Sequence, residues 1–321
     1  MKSLNLKALG KRDISFYLAI EKYFLPRIDE DLFFLWDLHP SVICGKNQLL
    51  SAEVNLEYTK KHGIKVFRRH TGGGAVYADE GCFMFTFLTK NINREEVFKK
   101  YLGLIQKALK QLGLEVIFSG RNDLLFRGKK FSGNAFMSGP HGSILHGTMM
   151  YDTSIERMVA SLTPDDSKLV SKGISSVRQR VINLKDYLDM DIYGLMDHVF
   201  GFISTEEIFL TNEDLEEILK IEKTYLTKEW LDFQNPPYSF RNKKRYAWGG
   251  IEARVDVRKG RVKSIVFTGD FFTTRELDSL YELFLNEEFS EENFRRILGN
   301  IAIGAYIVDA EAEDIIDLLW R

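Results

Sequence analysis

Arg68–Gly81, RRHTGGGAVYADEG, sets two arginines directly before three consecutive glycines and an apolar, aromatic run. Upstream, residues 64–70 (IKVFRRH) alternate with the period of a strand; downstream, residues 82–88 (CFMFTFL) form a continuous apolar run of strand length behind Gly81. The triplet therefore reads as a connection between two strands. Glycine supplies positive φ there without steric cost, which is the structural reading. Successive glycines also let backbone N–H groups approach phosphate oxygens closely and form an anion nest, and the adjacent arginines favour that second reading. The stretch is neither a Walker A loop, which ends Gly-Lys-Ser/Thr, nor a GxGxxG that opens a helix. A nucleotide site built on it belongs to another fold.

Working outward, residues 15–25 (SFYLAIEKYFL) carry Phe16, Ala19, Ile20, Tyr23 and Phe24 at helical spacing, with Pro26 as a stop. Between Arg94 and Gly113 a second stripe, Val97, Tyr101, Leu104, Ile105, Ala108 and Leu112, ends on a glycine placed as a C-cap. Short apolar runs from 114 to 152, separated by RGK and SGPHG, read as an antiparallel meander. On its strand from Lys130, strict alternation puts Lys130, Ser132 and Asn134 on one polar face and Phe131, Ala135 and Met137 on the other. Residues 163–183, with weak periodicity and the cations Lys168, Lys172, Arg178 and Arg180, read as a long basic loop.

Helical spacing resumes at 212–231, and the domain boundary falls in 232–247, which holds two of the six prolines. The remainder reads as a compact α+β unit. Ile251, Ala253, Val255 and Val257 alternate with Glu252, Arg254, Asp256 and Arg258, giving one wet face; Thr273 with Glu276 forms a capping box, and Asp309 caps the last helix. The division is 1–240 and 241–321.

Composition bounds the function. Forty-four basic against 46 acidic residues leave a net charge of -2, so no global field recruits nucleic acid or an anionic membrane, and an anion site has to be local. The two cysteines, Cys44 and Cys82, fit no CxxC pattern and read as reduced thiols. The N-terminus lacks a signal-peptide core and no apolar run reaches membrane-spanning length, which reads as a cytoplasmic protein.

Within GRNDLLFRGKKFSGNA, Arg121, Asn122 and Asp123 open one strand and Lys130 opens the next. A cation, amides and a carboxylate then converge, a mixture suited to phosphate, Mg²⁺ and a substrate carboxylate. His146 reads as a hydrogen-bonded strand histidine with at most a binding role, and Cys82, among aromatics, as a core residue.

Taken in order, RRHTGGGAVY, SGRNDLLF, GKKFSGNA, LHGTMMYD and KGISSVRQRVINL closely resemble the lipoate–protein ligases of the biotin/lipoate ligase superfamily, and GGIEARVDV with KGRVKSIVFTGDFF extends the resemblance into the C-terminal accessory domain of the two-domain ligases. The resemblance implies an α+β catalytic domain on a mixed, largely antiparallel sheet with a small α/β accessory domain. It implies that lipoate and ATP give lipoyl-adenylate, whose acyl group passes to a lysine of a lipoyl carrier domain: a 2-oxo-acid dehydrogenase acyltransferase subunit or the glycine-cleavage H protein. Carried over residue by residue, Arg69 holds the nucleotide, with Gly73, Gly74, Ala75, Val76 and Tyr77 lining its site and Asn122 and Asp123 beside it. Lys130 touches both ATP and lipoate and is the catalytic cation. Thr71, Gly72, Ser132, Gly133 and His146 accompany it on the lipoate side. Asp123 is the Mg²⁺ candidate, and Lys172, Gly173, Ser176, Val177 and Arg178 belong to the loop that covers the adenylate.

Thr71 stands where many members have serine, which keeps the hydroxyl; Leu145 stands where some have histidine, so that histidine's role is not transferred. The aromatics around 83–87 and 131–136 are the expected lining for the dithiolane tail. The expected assembly is a monomer. Three rivals remain: a cysteine-dependent lipoyl or octanoyl transferase, a two-domain transferase using preformed lipoyl-adenylate, and a non-enzymatic lipoate- or nucleotide-binding regulator. A biotin ligase is disfavoured because its Gly-Arg-Gly-Arg loop is missing.

Overall fold

The computed structural model describes residues 1–48, 50–119, 122–162, 167–231 and 238–320, and of residues 51–52 and 167–173 the backbone alone. Its strands are β1 (Lys2–Leu4), β2 (Leu32–Asp37), β3 (Ser41–Cys44), β4 (Lys65–Arg68), β5 (Val76–Ala78), β6 (Cys82–Thr89), β7 (Val116–Ser119), β8 (Asp123–Phe126), β9 (Lys129–Gly139), β10 (Gly142–Met150), β11 (Glu206–Ile208), β12 (Phe240–Tyr246), β13 (Gly249–Arg258) and β14 (Arg261–Gly269). Among the described residues, eight form one sheet in the order β11-β1-β2-β6-β10-β9-β8-β7, antiparallel except at β11-β1-β2.

Every residue of β6 is buried, because helices cover both faces of the sheet. Phe83, Phe85 and Phe87 pack with Val97, Tyr101, Ile105 and Ala108 of the helix Arg94–Gln111 and with Leu195 and Val199 of Ile192–Ile203. Met84 and Leu88, on the alternate face, pack with Phe16, Ala19 and Ile20 of the helix Ile14–Phe24 and with Ile218 and Tyr225 of Asn212–Tyr225. Burying each of these large apolar side chains is worth roughly 1.5–3 kcal/mol. A one-residue slip of β6 would exchange the two sets, so the phenylalanines fix the register.

The candidate site lies on the second face, and a β-bulge decides which residues reach it. Leu124 pairs with Ser132 but Leu125 pairs with Lys130, leaving Phe131 as the extra residue. Phe131 enters the first core, and a Cβ on Gly133 would lie 2.8 Å from Lys130 Nζ, so Lys130 and Gly133 share a side. Strict alternation therefore fails here: Ser132 and Asn134 do not share the face of Lys130. Asn134 Oδ1 and the Phe85 ring both occupy the space where a Gly147 Cβ would be.

Strands β4 and β5 flank β3 in a separate three-stranded sheet, so the glycine triplet joins β4 to β5 rather than to β6. Within 163–183, read as a loop, Ser167–Arg180 is helical, and residues 163–166 lie outside the described residues. Val170, Ile174, Val177 and Val181 recur at helical spacing, a stripe diluted in the sequence by serines, glycine and cations.

From Phe240 onward, β12–β14 and the helices Glu291–Leu298 and Ala312–Trp320 enclose a third core around Ile251, Val255, Phe267, Phe284, Phe294 and Leu318. The face expected to be wet is closed. Glu252 and Arg254 are buried and paired at 2.5 Å, with Arg241 reaching Glu252 at 2.8 Å, so the charges are held in ion pairs rather than solvated. Neither expected cap forms. Thr273 bridges Ile307 and the helix starts only at Asp278, while Asp309 turns to Arg94 at 3.2 Å. Among the described residues no helix is long and apolar enough to cross a membrane.

Candidate active site

Because β3 is parallel to β4 and antiparallel to β5, the loop 69–75 lies beside the loop 45–48 that leaves β3. Arg68 is a packing residue: its guanidinium donates to the carbonyls of Gly45, Lys46, Gln48 and Leu231 at 2.6–3.1 Å. Arg69 folds the triplet. It donates to the carbonyls of Gly72 (2.6 Å), Gly74 (2.9 Å) and Ile43 (3.2 Å) and to the Thr71 hydroxyl (2.9 Å). Burial pushes its pKa down to about 10, so it stays charged at neutral pH, and bonds from a charged donor contribute about 1.5–3 kcal/mol each.

The three glycines do different work. A Cβ on Gly72 would lie 2.6 Å from Phe271 O, so the C-terminal unit demands glycine there. Gly73 has φ +90 and donates its N–H to Phe271 O at 3.2 Å. Gly74 has nothing within 4 Å of where its Cβ would be, and it lines a cavity.

Two cavities meet beside this loop. A slot of about 100 Å³ runs between Ile14, Trp36, Ile43 and Met84 at one end and Gly73–Val76, Lys130 and Gly133 at the other, with Arg69, Ala135, His146 and Thr148 in its walls. A wider cavity of about 530 Å³ is bounded by Tyr77, Leu125, Met150, Met158, Leu162, Val177 and Arg180. Ala75, Val76, Lys130, Gly133 and Thr148 belong to both. The phenylalanines expected to line the tail instead fill the first core, and Met84 and Ala135 take that place because they face the other way.

Lys130 Nζ lies 2.7 Å from Asp123 Oδ1 at the junction, with both side chains about one-third exposed (37% and 34%). Asn122 and Asn134 exchange side-chain bonds with each other's carbonyl (2.6 and 2.9 Å), which pins the start of β8 against β9. Thr71, Gly72 and Ser132 stand behind the cavity walls rather than in them. Of the expected adenylate segment, Val177 lines the wider cavity, and Arg178 is ion-paired with Glu156 while its carbonyl accepts from Lys129 at 3.2 Å. Ser176 accepts through its carbonyl from Arg180 at 3.2 Å. The side chain of Lys172 and all of Arg121 lie outside the described residues, and Gly173 is described as part of the helix backbone.

No group of three His, Cys, Asp or Glu side chains that could hold a metal occurs among the described residues. Among the described residues, Asp123 alone offers a carboxylate at the junction, which suits Mg²⁺, an ion that keeps waters and phosphate oxygens as its other ligands. Both cysteines are buried, and burial pushes each thiol up to about 12, which removes the thiolate a cysteine nucleophile requires.

Two features escaped the sequence reading. The first is the GKNQ loop, where a Gly45 Cβ would lie 2.0 Å from Gly73 O and Gln48 Oε1 accepts from Gly45 N–H at 2.9 Å. The second is Glu21, a fully buried carboxylate on the helix Ile14–Phe24. It sits at i+4 from Tyr17 on a core-facing helix, and a charge on a buried stripe was the available signal. Its Oε1 accepts from Thr86 Oγ1–H and His146 Nδ1–H, both at 2.8 Å. Burial alone would raise its pKa, but His146 and then His70 pull it down to about 2.

Set beside known proteins, residues 13–202 match the family described as the lipoyl protein ligase A/B catalytic domain, and residues 235–319 match the bacterial lipoate protein ligase C-terminus. The chain therefore belongs to the lipoate–protein ligase family and is an enzyme of that class. It is 34% identical over 316 residues to the lipoate-protein ligase LplJ of Bacillus subtilis, covering 94% of this chain and 96% of that protein. It is 32% identical to lipoate–protein ligase 1 of Staphylococcus aureus over 317 residues, 96% of this chain and 97% of that one. Its fold superposes on P. falciparum LipL1, solved in complex with lipoate, with a TM-score of 0.78 at 25% identity, covering 98% of this chain and 96% of that one. A lipoate-protein ligase A bound with ATP shares the fold at a TM-score of 0.60 and 23% identity, over 72% of this chain and 95% of that one.

Proposed function

We propose that this chain activates lipoate with ATP and transfers the lipoyl group to a lysine of a carrier domain. The observation that carries the reading is the pair of cavities sharing one wall at Lys130, a narrow apolar slot on one side and a wider chamber on the other. In this reading the slot takes the acyl chain, with its carboxylate at Lys130, and the wider cavity takes the adenosine. Ala75 to Tyr77 and Asp123 face the nucleotide, Gly73, Gly74 and Asn122 stand at the inner end of the slot where the phosphates meet the carboxylate, and Gly133 and His146 border the acyl chain. Two domains, 1–240 and 241–321, divide the work, and a single chain holds the complete site, so the enzyme acts as a monomer.

The carboxylate oxygen attacks the α-phosphorus and pyrophosphate leaves. Charge accumulates on the phosphoryl oxygens as that happens, and Lys130 is the fixed cation beside them. Asp123 holds the ammonium at the junction and is the residue here that would hold Mg²⁺, which supplies charge neutralisation on the departing pyrophosphate. The carrier's neutral amine then attacks the acyl carbonyl and AMP leaves, so no enzyme nucleophile is needed. The carriers are the acyltransferase subunits of 2-oxo-acid dehydrogenases and the glycine-cleavage H protein; an archaeal relative at 25% identity was solved as a bipartite ligase and its E2 lipoyl domain.

Lipoate-dependent exchange of pyrophosphate into ATP, followed by mass analysis of an apo carrier domain, tests this. Exchange by wild type and its loss in Lys130→Ala support the reading. Transfer from synthetic lipoyl-adenylate without any exchange would replace it with a transferase that uses a preformed donor.

A further inference from the structure

Glu21 is the hub of a buried hydrogen-bond network, with Thr86 and His146 donating to one of its oxygens. Its Oε1 accepts from His146 Nδ1 and Thr86 Oγ1, and its Oε2 lies 3.1 Å from His70 Nε2. A carboxylate only accepts, so His146 presents its Nδ1–H to Oε1, whereas His70 Nε2 and Glu21 Oε2 lie close without forming a hydrogen bond. A neutral His146 then keeps Nε2 as a bare acceptor, 2.8 Å from Thr71 Oγ1, while His70 Nδ1 lies 2.9 Å from the Tyr225 hydroxyl. Thr71 takes the Arg69 Nε–H at 2.9 Å and is therefore free to give its own proton to His146. At the other end, the Trp36 indole N–H donates to Thr86 at 3.0 Å, which leaves the Thr86 proton for Glu21. With one proton on His146, the links run in one direction, from Thr71 to His146 Nε2 and from His146 Nδ1 to Glu21.

The chain of bonds also connects two ends of the cavity system. Trp36 and His146 are walls of the slot, whereas Arg69 grips the carbonyls of Gly72 and Gly74. We propose that Glu21 is a positioning residue for the reaction: by fixing His146 with its proton on Nδ1, it sets the polarity of the slot wall and, through Thr71 and Arg69, the shape of the glycine loop. It contacts no reacting atom and acts entirely through these neighbours. The inference deepens the reading above, since it takes the slot as the acyl site and the glycine loop as the nucleotide site.

Nitrogen-15 histidine spectra of the full chain read the tautomer directly. The expected wild-type result is His146 protonated on Nδ1 and bare on Nε2, the reverse of the form favoured in water. Glu21→Gln removes the charge that holds the His146 Nδ1 proton, so the Nε2-protonated form of His146 gains population. KM for lipoate and KM for ATP in the exchange assay both rise, with kcat/KM for lipoate falling at least tenfold.

Thr71→Val cuts the link one step further on, raising KM for ATP while His146 keeps its Nδ1 proton, and Thr71→Ser restores it. A wild-type His146 protonated on Nε2, or wild-type KM values in Thr71→Val, overturns the proposal even where Glu21→Gln does not fold. Absence of lipoate-dependent exchange in wild type removes the functional reading instead, and the tautomer still reports on the network.

Discussion

Lys130 Nζ and Asp123 Oδ1 are 2.7 Å apart, at the wall shared by a slot and a wider cavity. The pair comes from adjacent strands, β9 and β8, brought into reach by the bulge at Phe131. The carboxylate holds the cation where two ligands would meet, which is preorganisation rather than stability, since a partly exposed pair contributes at most about 1 kcal/mol to folding. Lys130→Ala is therefore expected to unfold at nearly the wild-type temperature while losing about 10²–10³ in the rate of pyrophosphate exchange, the cost typical of removing one preorganised donor. Asp123→Asn keeps the cation but frees it to wander, and its loss of rate is the smaller of the two. Thermal melts beside exchange kinetics separate the effects.

The glycine triplet predicts an asymmetry. Gly72 lies against the Phe271 carbonyl and Phe272 Cα, so Gly72→Ala forces the C-terminal unit away from the loop and lowers the melting temperature. Gly74 has open space around it, so Gly74→Ala folds normally and reveals its effect as a raised KM for lipoate as well as for ATP, because the new methyl group projects into the slot beside its junction with the wider cavity. Equal melting temperatures for the two variants would contradict this division.

How much of this was readable in advance follows from which signals are local. Apolar periodicity gave the helix on Phe16 to Phe24, the helix on Val97 to Leu112 and the antiparallel strands, because burial of those faces is written residue by residue. The face of Lys130 was misread because one extra residue in β9 shifts every later side chain, and a bulge leaves no mark on alternation. Residues 167–180 were misread for the opposite reason: their apolar stripe exists but is sparse. Arg69 lines the slot and also grips loop carbonyls, a second task that depends on chain segments brought together only by the fold. Glu21 is 125 residues from its partner His146, and no short motif joins them.

Burial of Cys44 and Cys82 raises both thiols to about 12. Each raised group contributes stability that is complete below the unfolded-state value near 9 and is lost as pH climbs toward about 12. The expected outcome is a fall in stability of the native chain above pH 9 and no alkylation of either cysteine by iodoacetamide at pH 7–8. Cys82→Ser retains transfer to the carrier within about twofold, because the acyl group never resides on the enzyme. Loss of transfer in that variant, with exchange intact, would instead demand a thioester.

Glu21 sets the acid limit. Its carboxyl is depressed to about 2 in the fold, against an ordinary value near 4.5, by His146 and His70 overcoming the opposite effect of burial. A depressed acid contributes stability that is present above the unfolded value and disappears as pH falls through the folded one, so this contribution is lost between about pH 4.5 and pH 2. Also facing the carboxylate are Thr86, which does not titrate, and His70, whose own pKa is lowered chiefly by burial, while Arg69 and Tyr225 lie near enough to feel its charge. Glu21→Gln should thus be less stable than wild type at pH 7, while the gap narrows steadily on acidification because the glutamine has no charge to lose. Chemical denaturation from pH 7 down to pH 3 measures that gap; a difference that stays constant with pH would mean that Glu21 is held neutral and that its histidine partners carry no share of its ionisation.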